Sequence, residues 1–219
     1  MCGRFTLTWN EWRQVASALG IEDEGDAAAS YRPRFNIAPT DQHFIVTSEF
    51  ERRKAHRARW GLVNRWARDN NRASQCINAR TETLEQRPTF REAFQQRRCV
   101  VPADGFFECC GPKGKRQPLW IHPRTGGLLL FAGLYESWYS EKDRPELTFT
   151  IVTCAANALI AAIHDRMPVV LDERAAEDWM NPQERDPLSL KHLLVPAPDD
   201  LLVMQPSSPL VNSVKNEGP

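Results

Sequence analysis

The chain has 219 residues, 42% hydrophobic and 26% charged, with 28 Lys+Arg balanced by 28 Asp+Glu. That size and balance suit one large globular domain with a substantial core, while the longest apolar runs fall well short of the roughly 20 residues of a membrane helix. The neutrality hides an asymmetry: residues 1–116 carry 20 basic against 14 acidic side chains (+6), and residues 117–219 carry 8 against 14 (−6).

In chain order, Thr8-Trp9-Asn10-Glu11 reads as a capping box opening a short amphipathic helix, with Trp12, Val15, Ala16 and Leu19 on one stripe and Gly20 as the stop. Residues 22–30 read as a polar loop, and 34–40, ending in Ala38-Pro39-Thr40, as an extended loop. Residues 44–47 and 58–63 are candidate strands. Between and beyond them, 52–72 holds eight basic residues against the single acid Asp69, a segment able to track a polyanion or simply to form a solvated face. A second capping box, Thr89-Phe90-Arg91-Glu92, predicts a helix to about Arg97 with Phe90, Ala93 and Phe94 inward.

A run of strand signals follows at 99–103, 105–109, 119–122, 128–134 and 147–154, with a hairpin loop at 111–115. Residues 155–163 and 173–180 read as helices, the second capped by Asp172, and 201–205 as a last strand. Strands joined by short turns with helices at the flanks predict an α+β fold, mostly antiparallel, in a single domain spanning 1–219. The six cysteines include no C-x-x-C pair, and the vicinal Cys109–Cys110 suits no tetrahedral zinc site. Reduced thiols, no metal and no cofactor are expected. The opening Met-Cys-Gly-Arg-Phe lacks the apolar core of a signal peptide, so a cytoplasmic location is expected.

Five islands carry chemistry: Met1-Cys2-Gly3-Arg4-Phe5, Asn36-Ile37-Ala38-Pro39, Ile77-Asn78-Ala79-Arg80-Thr81-Glu82, Asp104-Gly105-Phe106-Phe107-Glu108 and Ile163-His164-Asp165-Arg166-Met167-Pro168. Singly each has a bland reading: an incidental Cys, a structured turn, an edge-strand Glu, a hydrogen-bonded His. Together and in this order, through Val211-Asn212-Ser213-Val214-Lys215-Asn216, they resemble the SOS response-associated peptidase (SRAP) family, whose members crosslink to abasic sites in single-stranded DNA. The resemblance implies an α+β domain of barrel-like antiparallel sheets, a positively charged groove, and excision of Met1 to leave Cys2 with a free amine beside its thiol. It places the catalytic set on Cys2, Asn78, Arg80, Glu108 and His164. DNA contacts are expected from Arg4, Asn36, Pro39, Trp60, Trp66, Arg80 and Arg166. Where many members of the family carry Trp after the catalytic Glu, this chain has Cys109, which leaves any base contact of that Trp in doubt.

The chemistry asks for such residues. An aldehyde is attacked by a neutral amine, and at pH 7.4 about a third of an α-amine is unprotonated against about a thousandth of a Lys. The imine formed can then be closed by the adjacent thiol to a five-membered thiazolidine, a step aided by its proximity. Single-stranded DNA bearing abasic sites is thus the expected partner and a monomer the expected state. An N-terminal Cys peptidase acting on itself, a lyase side activity and a non-covalent reader of modified or single-stranded DNA are the other readings.

Overall fold

The computed structural model describes residues 2–22, 25–50, 52–112, 115–139 and 145–218. Its elements run β1 (Phe5–Leu7), α1 (Trp12–Ala18), α2 (Gly25–Ser30), β2 (Arg34–Ile37), β3 (Gln42–Glu49), β4 (Arg52–Trp60), β5 (Asn78–Arg80), α3 (Pro88–Gln96), β6 (Arg98–Ala103), β7 (Gly105–Cys110), β8 (Gln117–Pro123), β9 (Leu129–Tyr139), β10 (Pro145–Ala155), α4 (Ala158–Ala161), β11 (Arg166–Pro168), β12 (Val170–Leu171), α5 (Glu173–Met180) and β13 (Leu202–Pro206). Strands β10, β4, β3, β6 and β9 pair in that order, and β9 pairs back to β10, closing a five-stranded barrel. All its seams are antiparallel except β10 with β4. A second sheet has the order β13-β8-β7-β1-β2. The fold is α+β, as expected, and one core unites the barrel and the second sheet through Phe5, Ile37, Phe106 and Phe131.

Local signals and tertiary partners compete at several points. Thr8 does not cap α1, whose N-cap Glu11 makes no side-chain bond. Instead the amide and hydroxyl of Thr8 both donate to Asp104 Oδ2 at 2.6 Å, and the Thr6 hydroxyl donates to Oδ1 at 2.5 Å. A buried carboxylate holding three donors outcompetes a cap. The second capping box also fails: α3 opens two residues earlier, with Arg87 as N-cap and Pro88 in its first turn, although Phe90, Ala93 and Phe94 are buried as predicted. α5 matches its prediction, with Asp172 accepting from Ala175 N–H. Residues 25–30 are helical rather than loop, while 23–24 lie outside the described residues, as do 113–114 in the expected 111–115 turn.

The stretch 34–40 is an edge strand in its first half, paired with β1. The Arg-rich 52–59 forms most of a barrel strand, and 155–163 contributes only the four-residue α4, capped by Asn157. Arg98 ties the far side together. It is buried and donates to the carbonyls of Phe94 and Gln95 at the end of α3 and of Trp179 and Asn181 at the end of α5, where helix dipoles favour a cation. Among the described residues no helix is long and apolar enough to cross a membrane.

Candidate active site

Cys2 sits at the seam of the two sheets. On one side the chain runs into β1, where Phe107 N–H donates to Arg4 O at 2.9 Å and Phe5 pairs with Phe106. On the other side Asn78 Nδ2 donates to Cys2 O at 2.8 Å. Asn78 and Arg80 belong to β5, a three-residue strand that exists because β10 offers it a parallel edge, Ile151 to Asn78 and Thr153 to Arg80. On the other flank of β10, β11 pairs Thr153 with Pro168 and Ala155 with Arg166. The Asn-Ala-Arg and His-Asp-Arg-Met-Pro islands are thus brought to the two sides of one strand. Arg166 locks them there. Its guanidinium donates to Glu82 at 2.5 Å and to Thr153 O at 2.5 Å.

A pocket of about 410 Å³ opens beside this seam, with Gly3, Arg4, Glu108 and His164 in its wall. Cys2 is fully buried directly behind Gly3. Burial, reinforced by the charge of nearby Glu108, pushes the Cys2 thiol well above its ordinary range, so the sulfur is held as S–H. The Cys2 Sγ points toward Arg4 O at 3.8 Å. His164 Nδ1 accepts the backbone N–H of Arg166 at 2.9 Å, which leaves Nε2 to carry the proton of the neutral ring. The exposed Asp165 carboxylate lies 3.0 Å from the same Nδ1. The site therefore holds two proton carriers, one carboxylate and one imidazole, around a neutral thiol.

The expected DNA contacts divide by burial. Arg4 lines the pocket, while Arg80, Trp66 (65% exposed) and half-buried Pro39 are accessible. Trp60 corrects its expectation: its ring is fully buried, stacked at 8° on Phe149, with Nε1 donating to Ile77 O, so it packs the barrel and offers no face to a base. Asn36 is buried and spends its amide on the carbonyls of Val211, Ser213 and Asn216. Arg166 is buried in the lock just described. Half of the eight basic residues of 52–72 are paired with acids, Arg53 with Glu177, Lys54 with Glu49, Arg59 with Glu146 and Arg65 with Glu136.

Gly111, Arg116 and Pro118 line the pocket from outside the recognised islands, and Val211 and Asn212 belong to the C-terminal stretch that carries the resemblance but had no assigned role in the site. No local pattern in the sequence marks Gly111, Arg116 or Pro118 as site residues. Cys109 also lines the pocket, its thiol pushed up by burial and by Glu108. Met1 lies outside the described residues.

Comparison with known proteins follows the same outline. The description SOS response associated peptidase (SRAP) matches residues 1–214. A Bacillus subtilis (strain 168) protein named abasic site processing protein YoqW is 40% identical over all of this chain and 97% of its own length. Abasic site processing protein YoaM of the same strain is 37% identical over 99% of this chain and 95% of its own length. A crystal structure of a protein from Bacteroides thetaiotaomicron superposes with a TM-score of 0.84 over 95% of this chain and 93% of that one, at 24% identity, and shows the same fold. The chain belongs to the SOS response associated peptidase (SRAP) family.

Proposed function

We propose that this protein processes abasic sites in DNA by capping them covalently, with Cys2 as the residue that bonds to the lesion once Met1 has been removed. The observation that carries the reading is the convergence of Asn78 and Glu108 on Cys2 at the edge of a pocket that also holds His164. The names of the relatives, abasic site processing proteins, support the substrate class.

The freed α-amine attacks the ring-opened sugar aldehyde, and the carbinolamine loses water to an imine. The Cys2 S–H then adds across the C=N bond: sulfur bonds to carbon, the proton passes to nitrogen, and a thiazolidine closes without oxidant or co-reactant. Because the thiol is held protonated, the addition needs a base, and Glu108 is the carboxylate near enough to feel its charge. The His164 imidazole serves proton transfers at the sugar oxygens. Asn78 orients Cys2 through the carbonyl it grips. Arg4 and Arg80 hold flanking phosphates, and Trp66 stacks on an unpaired base. The partner is a single strand, since the opened sugar must leave the helix to enter the pocket, and one copy of the chain supplies every group.

An abasic oligonucleotide should give a denaturant-resistant adduct that Cys2→Ala abolishes. An adduct indifferent to that change overturns the reading, and DNA binding without any adduct in the parent protein favours a non-covalent reader. The description of the family supplies a second reading, peptide-bond hydrolysis limited to this chain's own terminus. Intact mass of Glu108→Gln decides it: retained Met1 in that variant alone marks self-processing.

A further inference from the structure

The segment 207–217 plays no part in the chemistry above, yet its path is tied to the site at both ends. It leaves β13 at Pro206, which pairs with Leu119, and Leu119 pairs in turn with Glu108. The segment therefore departs from the same cross-strand row as Glu108. It ends on β2, at the opposite edge of the same sheet. There Asn36 Nδ2 donates to Val211 O at 3.3 Å, Ser213 O at 2.9 Å and Asn216 O at 2.9 Å, and Glu217 accepts from Arg34 Nε at 2.6 Å and Phe35 N–H at 3.2 Å. To connect those two edges the segment spans β8, β7 and β1, and on the way Val211 and Asn212 enter the wall of the pocket that holds Glu108 and His164.

We propose that 207–217 is a strap forming the substrate-contacting wall of the pocket, that Asn212 is a specificity-determining contact to the sugar–phosphate chain, and that Asn36 is a positioning residue acting only through the strap. The proposal rests on the reading of the pocket as a DNA site. The chemistry fits. The exposed Asn212 carboxamide offers two donors and an acceptor, matched to the hydroxyl and phosphate oxygens of an opened nucleotide. Leu210 and Val214 beside it are 66% and 58% exposed, apolar surface of the kind an unstacked base covers. An exposed eleven-residue segment stays in one conformation only against its lost chain entropy, and a single buried amide holding three of its carbonyls is the main fastening. This explains why an Asn in the basic half of the sequence is buried and spends its amide on the C-terminal segment.

The test measures two things on the Met1-processed protein: adduct formation against abasic single strand, resolved into half-saturating DNA and maximal rate, and anisotropy binding of the same strand by Cys2→Ala protein. Asn212→Ala should raise the half-saturating concentration about tenfold, the loss of one or two hydrogen bonds to charged or polar oxygens, with the melting temperature unmoved. Deletion of 208–219 should match or exceed that. Asn36→Ala should weaken binding in the intact chain and add nothing in the deleted one, a non-additivity that a purely structural or a direct DNA-contacting Asn36 does not give. Parental affinity in both Asn212→Ala and the deletion overturns the proposal, as does further weakening by Asn36→Ala after deletion. Should Asn36→Ala fail to fold, the other two variants, both on the surface, still decide. A parent protein without Cys2-dependent adduct sinks the covalent reading instead, and the anisotropy arm then judges the strap alone.

Discussion

Asn78 donates its side-chain amide to the carbonyl of Cys2 at 2.8 Å, joining the first described residue of the chain to a three-residue strand on the barrel. Asn78 is held by backbone pairing to Ile151, so its amide is a fixed point from which the position of Cys2 is set. Asn78→Ala should slow adduct formation about tenfold through misplacement of the nucleophile, with less than about 1 kcal/mol lost from stability. Asn78→Asp, which sets an acceptor against the carbonyl, should be slower still. Single-turnover crosslinking beside thermal melts checks both.

Arg80 and Arg166 are similar on paper and opposite in place. Arg80 is exposed; Arg166 is buried between Glu82 and Thr153 O. Arg80→Ala should weaken single-strand binding and flatten its salt dependence by about one phosphate contact, leaving the melting temperature alone. Arg166→Ala should destabilise by about 2 kcal/mol, because it takes the charged donor from the buried Thr153 carbonyl and unfastens β11 from the segment that follows β5. Anisotropy titrations at several salt concentrations, paired with melts, separate the two.

Asp104 accepts three bonds from Thr6 and Thr8 and so fixes the strand that carries Cys2. Asp104→Ala should cost about 2 kcal/mol, with the amide and hydroxyl of half-buried Thr8 left without acceptor. Chemical denaturation measures it; a loss below about 1 kcal/mol would show that β1 is held by its pairing alone.

His43 is fully enclosed by Phe5, Phe44 and Phe149, with Nε2 donating to Pro102 O at 2.9 Å. Burial pushes its pKa from 6.5 down to about 4. Between those values the unfolded chain binds a proton that the folded chain refuses, so stability falls as pH drops from about 6.5 to 4, by up to roughly 3 kcal/mol, and is unaffected by this group above that window. His43→Gln keeps a donor for Pro102 without the charge. Its loss of stability over the same pH range should be smaller than the parent's by about that amount.

Legibility tracked how local the deciding contact is. The helix Glu173–Met180 was readable because its cap and its inward Ala176 and Trp179 lie within one short stretch. Strand β4 was hidden because its charged side chains break the alternation, while their partners Glu49, Glu146 and Glu177 come from elsewhere. β5 and β11 are too short to signal themselves, and only β10 makes them strands. Trp60 and Trp66 are the same residue six positions apart, one fully buried and one 65% exposed; barrel closure, which no local pattern reports, decides between them. At the site, the five islands were readable as residues, but Asn36 was misassigned because its carbonyl partners lie about 175–180 positions away.

The groups gathered around Cys2 come from positions 78, 108, 164 and 212, and this has a consequence in time. At about 5–20 residues per second of synthesis, the N-terminus leaves the ribosome roughly 10–40 s before the last of those residues is added. On the proposed reading, an N-terminal cysteine released from Met1 is during that interval an open trap for any diffusing aldehyde. Completion of the fold ends this exposure by burying the sulfur. The topology thus works as a delayed safety catch, in which reactivity precedes selectivity and only a finished chain has both.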